Sequence, residues 1–372
     1  MRNSFALINL KNLKSNYLNL RKKVSPSKLL AVVKADAYGH GAVEVSKYLS
    51  FLDPKPDYFG VALYEEAVEL RNSGIEEPIL VFDVINSESL KLAEEYDLTI
   101  TICRNSDFDL IRKYLKKLSL RKKLQAHIKI NTGMNRLGIR WDDNFSELSK
   151  YFVLKGLTIS GIYTHFATSD IPSNQFANLQ LERFNKFLDK IHNQKINPGI
   201  IHAANSGAIL NMPQSYFDMV RAGISLYGYK PDLTSLDTVK LKPVMSLYSK
   251  VASIITIKKG ESVSYGQKFF AKNKTKIASV SFGYADGYSR GLTNKSKAII
   301  RNKFYNQVGI VTMDRIMFEV KNDKISVDDE VILLGNKKNL RFDAWDWSKL
   351  LNTIPYEITC NISKRVPRLF KK

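Results

Sequence analysis

A (β/α)8 barrel of the TIM type followed by a second, mainly β domain is the fold this sequence predicts, and three observations predict it. Eight short apolar runs alternate with amphipathic segments over roughly the first two thirds of the chain. From about Leu241 the rhythm changes to long runs rich in Val, Ile, Ser and Thr. A chain of 372 residues is also too long for one ordinary core.

Asn9–Val24 carries leucines at i, i+3 and i+8 and reads as a lead-in helix. The strand candidates that follow are Leu29–Val33, Tyr58–Ala62, Pro78–Phe82, Leu98–Ile102, Ala126–Ile130, Leu157–Thr164, Ile200–Ala203 and Met219–Ala222. Between them lie helix candidates at Tyr64–Asn72, Ser87–Tyr96, Ser106–Leu118 and Asn174–Asn193. In the second part the strand candidates are Val244–Ile257, Thr275–Phe282, Ala298–Arg301, Gly309–Val320 and Glu330–Leu334. One helix, Asp343–Leu351, precedes a strand-like Tyr356–Ile362. The expected domains are 1–237, the barrel, and 238–372, the β domain, joined near Asp232–Lys242.

Composition narrows the class. Hydrophobic content of 44% and charged content of 25% are ordinary for a soluble protein. No apolar run approaches membrane-spanning length, and the N-terminus lacks a signal-peptide core, so no membrane partner is expected. Cys103 and Cys360 are the only cysteines, which points to a reducing cytoplasm. The net charge of +21 comes from scattered lysines and arginines. The densest run, Arg112–Lys123, has apolar residues at helical spacing and reads as a solvated helix face, so nucleic acid is not expected as a ligand. The five histidines and two cysteines show no metal-ligand spacing, and no catalytic metal is expected.

Chemistry in such a barrel sits at the C-terminal ends of the strands. Lys34 follows the run Ala31–Val33, and Gly39 and Gly41 mark a turn behind it. Burial at a strand tip lowers a lysine's pKa and makes its amine nucleophilic; on that stretch alone, a side chain snorkelling to the surface fits equally well. The other strand ends decide between the two. Lys129 sits late in the fifth run with Arg136 in the loop after it, and His165 ends the sixth. Asn205 and Ser206 follow the seventh, and Arg221 and Gly223 lie at the eighth.

The stretch Val33-Lys34-Ala35-Asp36-Ala37-Tyr38-Gly39-His40-Gly41 resembles the cofactor-lysine motif of the alanine racemase family, the fold type III pyridoxal-phosphate enzymes. Further matches run in the family's order: Thr132–Gly138, Thr164–Thr168, Ala204–Ser206, Arg221–Gly223, Val263–Gly266, Gly283–Gly287, Met313-Asp314 and Pro355–Glu357. The resemblance implies interconversion of L- and D-alanine with pyridoxal 5'-phosphate, supplying D-alanine for peptidoglycan. It makes Lys34 the lysine that holds the cofactor, with Tyr38, Ser206, Gly223, Ile224 and Tyr356 also binding it, and Arg221 facing its pyridine nitrogen. Ser206 alone also fits a helix N-cap, and the two roles are compatible.

Racemisation needs two acid/base groups on opposite faces of the substrate's Cα. The resemblance assigns them to Lys34 and Tyr265, with His165 coupled to the tyrosine. Tyr265 and Met313 lie in the β domain, and in the family they come from the other subunit, which implies a homodimer with shared sites. Arg136 offers a planar two-donor fork for the carboxylate of a small amino-acid substrate. Lys129 would repel it unless carbamylated, as family members resolve the same conflict. Asn131 stands where the family usually has aspartate, and Ile310 where an arginine is common.

Three other functions share parts of this pattern. A fold type III decarboxylase would carry a catalytic cysteine motif that Cys360 does not match. A non-enzymatic cofactor-binding barrel would lack the β domain. A racemase for serine or another small amino acid shares every motif, and assay against a panel of amino acids separates it.

Overall fold

The computed structural model describes residues 4–116 and 123–372. The chain divides into two compact units. One holds Lys14–Ala37 and Ala42–Leu241; the other holds the chain up to Leu13, Tyr38–Gly41 and Lys242–Lys372. The strands are β1 (Phe5–Asn9), β2 (Lys28–Val32), β3 (Tyr58–Val61), β4 (Ile79–Val81), β5 (Thr99–Ile102), β6 (Leu124–Asn131), β7 (Ile139–Arg140), β8 (Leu157–Tyr163), β9 (Ile200–His202) and β10 (Met219–Ala222). They continue with β11 (Met245–Ile257), β12 (Thr275–Val280), β13 (Lys297–Ile300), β14 (Lys303–Asn306), β15 (Ile316–Glu319), β16 (Glu330–Lys337), β17 (Leu340–Phe342) and β18 (Arg368–Lys371).

In the first unit, β2, β3, β4, β5, β6, β8, β9 and β10 pair in parallel and close on themselves through β5 with β6 and β10 with β2. This is the expected (β/α)8 barrel. Its strands are apolar runs because core lies on one face and helices on the other, as in Leu29–Val32, where every residue is buried. The longest helix, Phe176–Asn193, buries Ala177, Gln180, Leu181, Phe184, Phe187, Leu188 and Ile191, the stripe that helical periodicity requires. The helix Ser87–Glu95 starts at Asn86, whose side chain accepts the Ser89 N–H at 2.8 Å. The expected helix Ser106–Leu118 is observed as Asp107–Lys116; its last residues and half of the basic run Arg112–Lys123 lie outside the described residues.

In the second unit the sheet order is β14-β13-β16-β11-β1-β18, with β12 joining β11 to β15 and β17 edging β16. β1 belongs here rather than with the barrel. Its alternating burial pattern lets one face pack while its two edges pair with β11 antiparallel and β18 parallel. Two other expectations change. Tyr356–Ile362 is not a strand: Pro355–Cys360 forms a helix that starts with proline, whose fixed φ suits a first turn, and it buries Ile358 and Thr359 on one face. Of Gly309–Val320 only Ile316–Glu319 is strand, because Gly309 takes φ 72° and Thr312 and Arg315 close a turn. No helix among the described residues is long and apolar enough to cross a membrane.

Candidate active site

Lys34 leaves the end of β2 half-buried. The Tyr227 hydroxyl donates to the Val32 carbonyl at 2.9 Å, and the Val33 N–H donates to Gly60 O at 2.9 Å, so the strand is fixed up to the residue before the lysine. From Lys34 the chain winds into one helical turn, Lys34–Gly39, of left hand: Ala35, Asp36, Ala37 and Tyr38 have φ of 53°, 52°, 53° and 54°. For residues with a Cβ this conformation costs about 1–2 kcal/mol each, so it persists only where its surroundings over-determine it. The Ala37 N–H donates to Val33 O at 2.8 Å within the turn, and Asp36 Oδ1 accepts the Ala42 N–H at 2.7 Å at its far end.

Arg221 on β10 is buried, and its guanidinium is held from several sides. It donates to Thr164 O at 2.7 Å, Ala203 O at 2.8 Å and His202 O at 3.2 Å, and to His202 Nδ1 at 2.9 Å and His165 Nδ1 at 3.1 Å. Its Nε–H has no hydrogen-bond partner among the described residues. Burial lowers the guanidinium pKa to about 10, which leaves it charged at neutral pH. Below it, Tyr163 stacks on His202 with centroids 4.7 Å apart, and Arg221 lies 5.2 Å from the Tyr163 ring. His202 Nε2 reaches His127 Nδ1 at 2.9 Å. All three histidines are neutral: burial, then the Arg221 charge, holds His127 down at about 3 and His165 and His202 well below the ordinary value.

Lys129, near the end of β6, is buried with its Nζ 5.8 Å from the Tyr163 ring. Desolvation first, then the charges of Arg136, Arg221 and Lys34, brings its pKa down to about 8. Arg136 is exposed in the loop after β6 and makes no hydrogen bond or ion pair among the described residues. Asn131 faces its own loop: its Oδ1 accepts the N–H groups of Gly133 at 3.1 Å and Asn135 at 3.0 Å, and its Nδ2 donates to Asn135 Oδ1 at 3.1 Å. An amide can therefore stand where the family usually has aspartate, because the position braces the turn that carries Arg136.

The last two βα loops form a cradle. Ser206 begins the short helix Ser206–Asn211, whose N-cap Asn205 accepts the Ala208 N–H at 3.1 Å. Ser206 Oγ accepts the Gly223 N–H at 2.9 Å and shares a hydrogen bond with Ser225 Oγ at 3.0 Å; Ile224 opens the single turn that follows. Hydroxyls and backbone N–H groups gathered this way suit a phosphate.

In the second unit, Tyr265 opens a tight turn and is 74% exposed. Ser264 before it has φ 67° and donates to Ile310 O at 2.8 Å, which ties the Tyr265 turn to the loop that presents exposed Met313. Asp314 pairs with Arg365 at 2.6 Å. Tyr356 and Tyr38 meet at 5.8 Å between ring centroids.

Lys34, Lys129, Arg136, His165, Ser206, Arg221, Gly223 and Ile224 thus share the first unit, while Tyr38, Tyr265, Met313 and Tyr356 share the second. Sequence reasoning missed Tyr163, His202 and His127, whose signal was a polar residue at an inward position of an apolar strand. It also missed fully buried Gln180, which donates to Thr132 Oγ1 at 3.2 Å and His165 O at 3.0 Å and accepts the Ala167 N–H at 2.8 Å. Among the described residues no group of three or more His, Cys, Asp or Glu could hold a metal ion.

Residues 8–231 match the family model described as alanine racemase, N-terminal domain, and residues 244–370 the alanine racemase, C-terminal domain. The chain is 38% identical to alanine racemase 2 of Caldanaerobacter subterraneus subsp. tengcongensis, covering 98% of this chain and 93% of that protein. It is 38% identical to the alanine racemase of Clostridium perfringens strain ATCC 13124, covering 99% and 95%. The solved alanine racemase of Clostridium difficile 630 superposes with a TM-score of 0.92 at 37% identity, over 100% of this chain and 96% of that one.

Proposed function

The chain belongs to the alanine racemase family, and from that membership we infer that it interconverts L-alanine and D-alanine with pyridoxal 5'-phosphate on Lys34. The observation that carries the cofactor reading is Arg221, fixed by surrounding acceptors with one donor, Nε–H, left for a ring nitrogen. The other residues of the barrel mouth fit the same group: the Lys34 amine its aldehyde, and the Ser206–Gly223–Ile224 cradle its phosphate. Membership of the family adds Tyr38 and Tyr356 to the residues that bind it. When bound, the cofactor withdraws electrons from an attached amino acid and makes its α-proton acidic.

The protein's own groups do the rest. Arg136 takes the substrate carboxylate with its two-donor fork, and Met313 borders the amino acid. Lys34 Nζ moves the α-proton on one face, and Tyr265 Oη on the other. His165 Nδ1 accepts from Arg221, so its ring proton sits on Nε2 and is directed to the tyrosine. Arginine keeps its charge and only donates, so Arg221 would leave a ring nitrogen held against it unprotonated and would favour returning the proton over side reactions. Tyr265 and Met313 act from the partner subunit of a homodimer, and Lys129 carries a carbamate that holds Arg136 in place. The product D-alanine serves peptidoglycan synthesis in the cytoplasm.

The test is to fix the cofactor with borohydride, map the label, and assay both alanine enantiomers beside serine. Label on Lys34 and preference for alanine are expected. Tyr265→Phe should keep bound cofactor and lose about 10²–10⁴ in rate. Label on another lysine, or a Tyr265→Phe enzyme of normal rate, would overturn the assignment.

A further inference from the structure

Glu66 lies in the first turn of the helix Tyr64–Asn72 that follows β3. Its Oε2 accepts the N–H groups of Ala62 at 2.8 Å and Leu63 at 3.1 Å, an ordinary way to close a helix start. Its Oε1 does something a helix start does not need. It crosses to the neighbouring strand's loop and accepts the Ala35 N–H at 2.6 Å. That N–H belongs to the peptide joining Lys34 to Ala35, the point where the backbone changes to left-handed winding.

We propose that Glu66 is a positioning residue for Lys34: by pinning the Ala35 N–H it holds the left-handed turn and so sets the direction in which the Lys34 side chain leaves β2. The strand is fixed as far as Val33, and Asp36 closes the turn's far end on the Ala42 N–H, but neither acts on the Lys34–Ala35 peptide. A carboxylate accepting from a backbone N–H makes a charge-assisted bond, the stronger kind available to hold a disfavoured conformation. By binding N–H groups after β2 and after β3 at once, Glu66 also locks the two loops to each other. The inference rests on Lys34 being the lysine that carries the cofactor.

Four full-length proteins test it: wild type, Glu66→Ala, Glu66→Asp and Glu65→Ala. Glu65 is the exposed neighbour in the same helix turn and has no bond to Ala35, so its variant controls for charge at the helix start. Glu66→Asp keeps that charge and the helix start but is one methylene too short to serve both loops. Two readouts are taken: amide hydrogen exchange over residues 33–38 without cofactor, and the rate at which added cofactor becomes fixed on Lys34 by borohydride. Both Glu66 variants should exchange at least tenfold faster in that segment and be labelled at least tenfold more slowly, while Glu65→Ala matches wild type. Adding Ala35→Gly to either Glu66 variant should restore part of the labelling rate, because glycine adopts positive φ without strain. Faster exchange confined to residues 62–72, with labelling at the wild-type rate, would reduce Glu66 to a helix cap and overturn the proposal. If wild type itself is not labelled on Lys34, the cofactor reading fails, and the exchange data still decide whether Glu66 holds the turn.

Discussion

The Arg221 guanidinium donates to His202 Nδ1 across 2.9 Å, and His202 Nε2 lies 2.9 Å from His127 Nδ1. An arginine never accepts, so His202 Nδ1 must be a lone pair and its proton must sit on Nε2. That proton is donated to His127 Nδ1, which places the His127 proton on Nε2. One charged side chain thereby sets two tautomers in succession, and the same logic applied to His165 fixes a third.

His202→Phe should therefore keep the stack on Tyr163 and lose the acceptor. A buried guanidinium short of a partner costs about 1–3 kcal/mol, so the variant should lose that much unfolding free energy. His202→Asn, which restores a side-chain oxygen, should recover part of it. A phenylalanine variant as stable as wild type would mean that the remaining carbonyl acceptors suffice for Arg221.

The same network predicts acid sensitivity. His127, His165 and His202 are all held below the ordinary histidine pKa of about 6.5. Above that value folded and unfolded states are equally deprotonated and nothing changes with pH. Below it the unfolded chain takes up protons that the folded chain refuses, so stability falls by up to about 1.4 kcal/mol per pH unit for each histidine. For His127 the fall continues to about pH 3. Urea midpoints measured from pH 7.5 to 5 should be flat at first and then drop; a flat profile throughout would require protonated histidines in the folded barrel.

The barrel was legible because each of its strands is a short apolar run closed by turn or helix signals, and the clustering of Lys34, Lys129, His165, Ser206 and Arg221 followed from the order of those runs. The polar layer inside was not, because His127, Tyr163 and His202 interrupt apolar stretches one residue at a time and acquire meaning only when the barrel closes. β1 was hidden for another reason: its partners, β11 and β18, lie more than two hundred residues along the chain. In Tyr356–Ile362, β-branched residues suggested a strand, and packing of the Pro355 turn overrode that preference. The left-handed turn has no apolar pattern at all; only Gly39 and Gly41 hinted at it.

Gly39 is the position in that turn where a side chain has no room. Its φ is 82°, and a Cβ there would sit 2.1 Å from Thr359 O. Gly39→Ala should lose about 2–4 kcal/mol, from strain and overpacking together. Gly74→Ala is the control. Its φ is 89° but nothing lies within 4 Å of the added Cβ, so it should lose only the conformational part, about 1–2 kcal/mol. Equal losses in thermal unfolding of the two variants would show that the helix Pro355–Cys360 yields to the intruding methyl.

Lys129 makes the sharpest chemical prediction. With a pKa of about 8, an appreciable share of its amine is unprotonated at neutral pH, and a neutral amine attacks carbon dioxide. The product carbamate is an anion, so the field of Arg136, Arg221 and Lys34 that disfavours the ammonium favours the modified form. Enzyme equilibrated with ¹³C-bicarbonate should therefore show a protein-bound carbamate resonance that grows as pH rises from 6 through 8. Lys129→Arg should abolish the resonance, because a guanidinium stays protonated. If Arg136 takes the substrate carboxylate as proposed, the variant should also raise the KM for alanine more than it lowers kcat, since a permanent cation would push Arg136 away. If the resonance is absent at pH 8 and Lys129→Arg binds alanine normally, Lys129 is only a buried amine packed against Tyr163, and Arg136 is held by its own loop through Asn131.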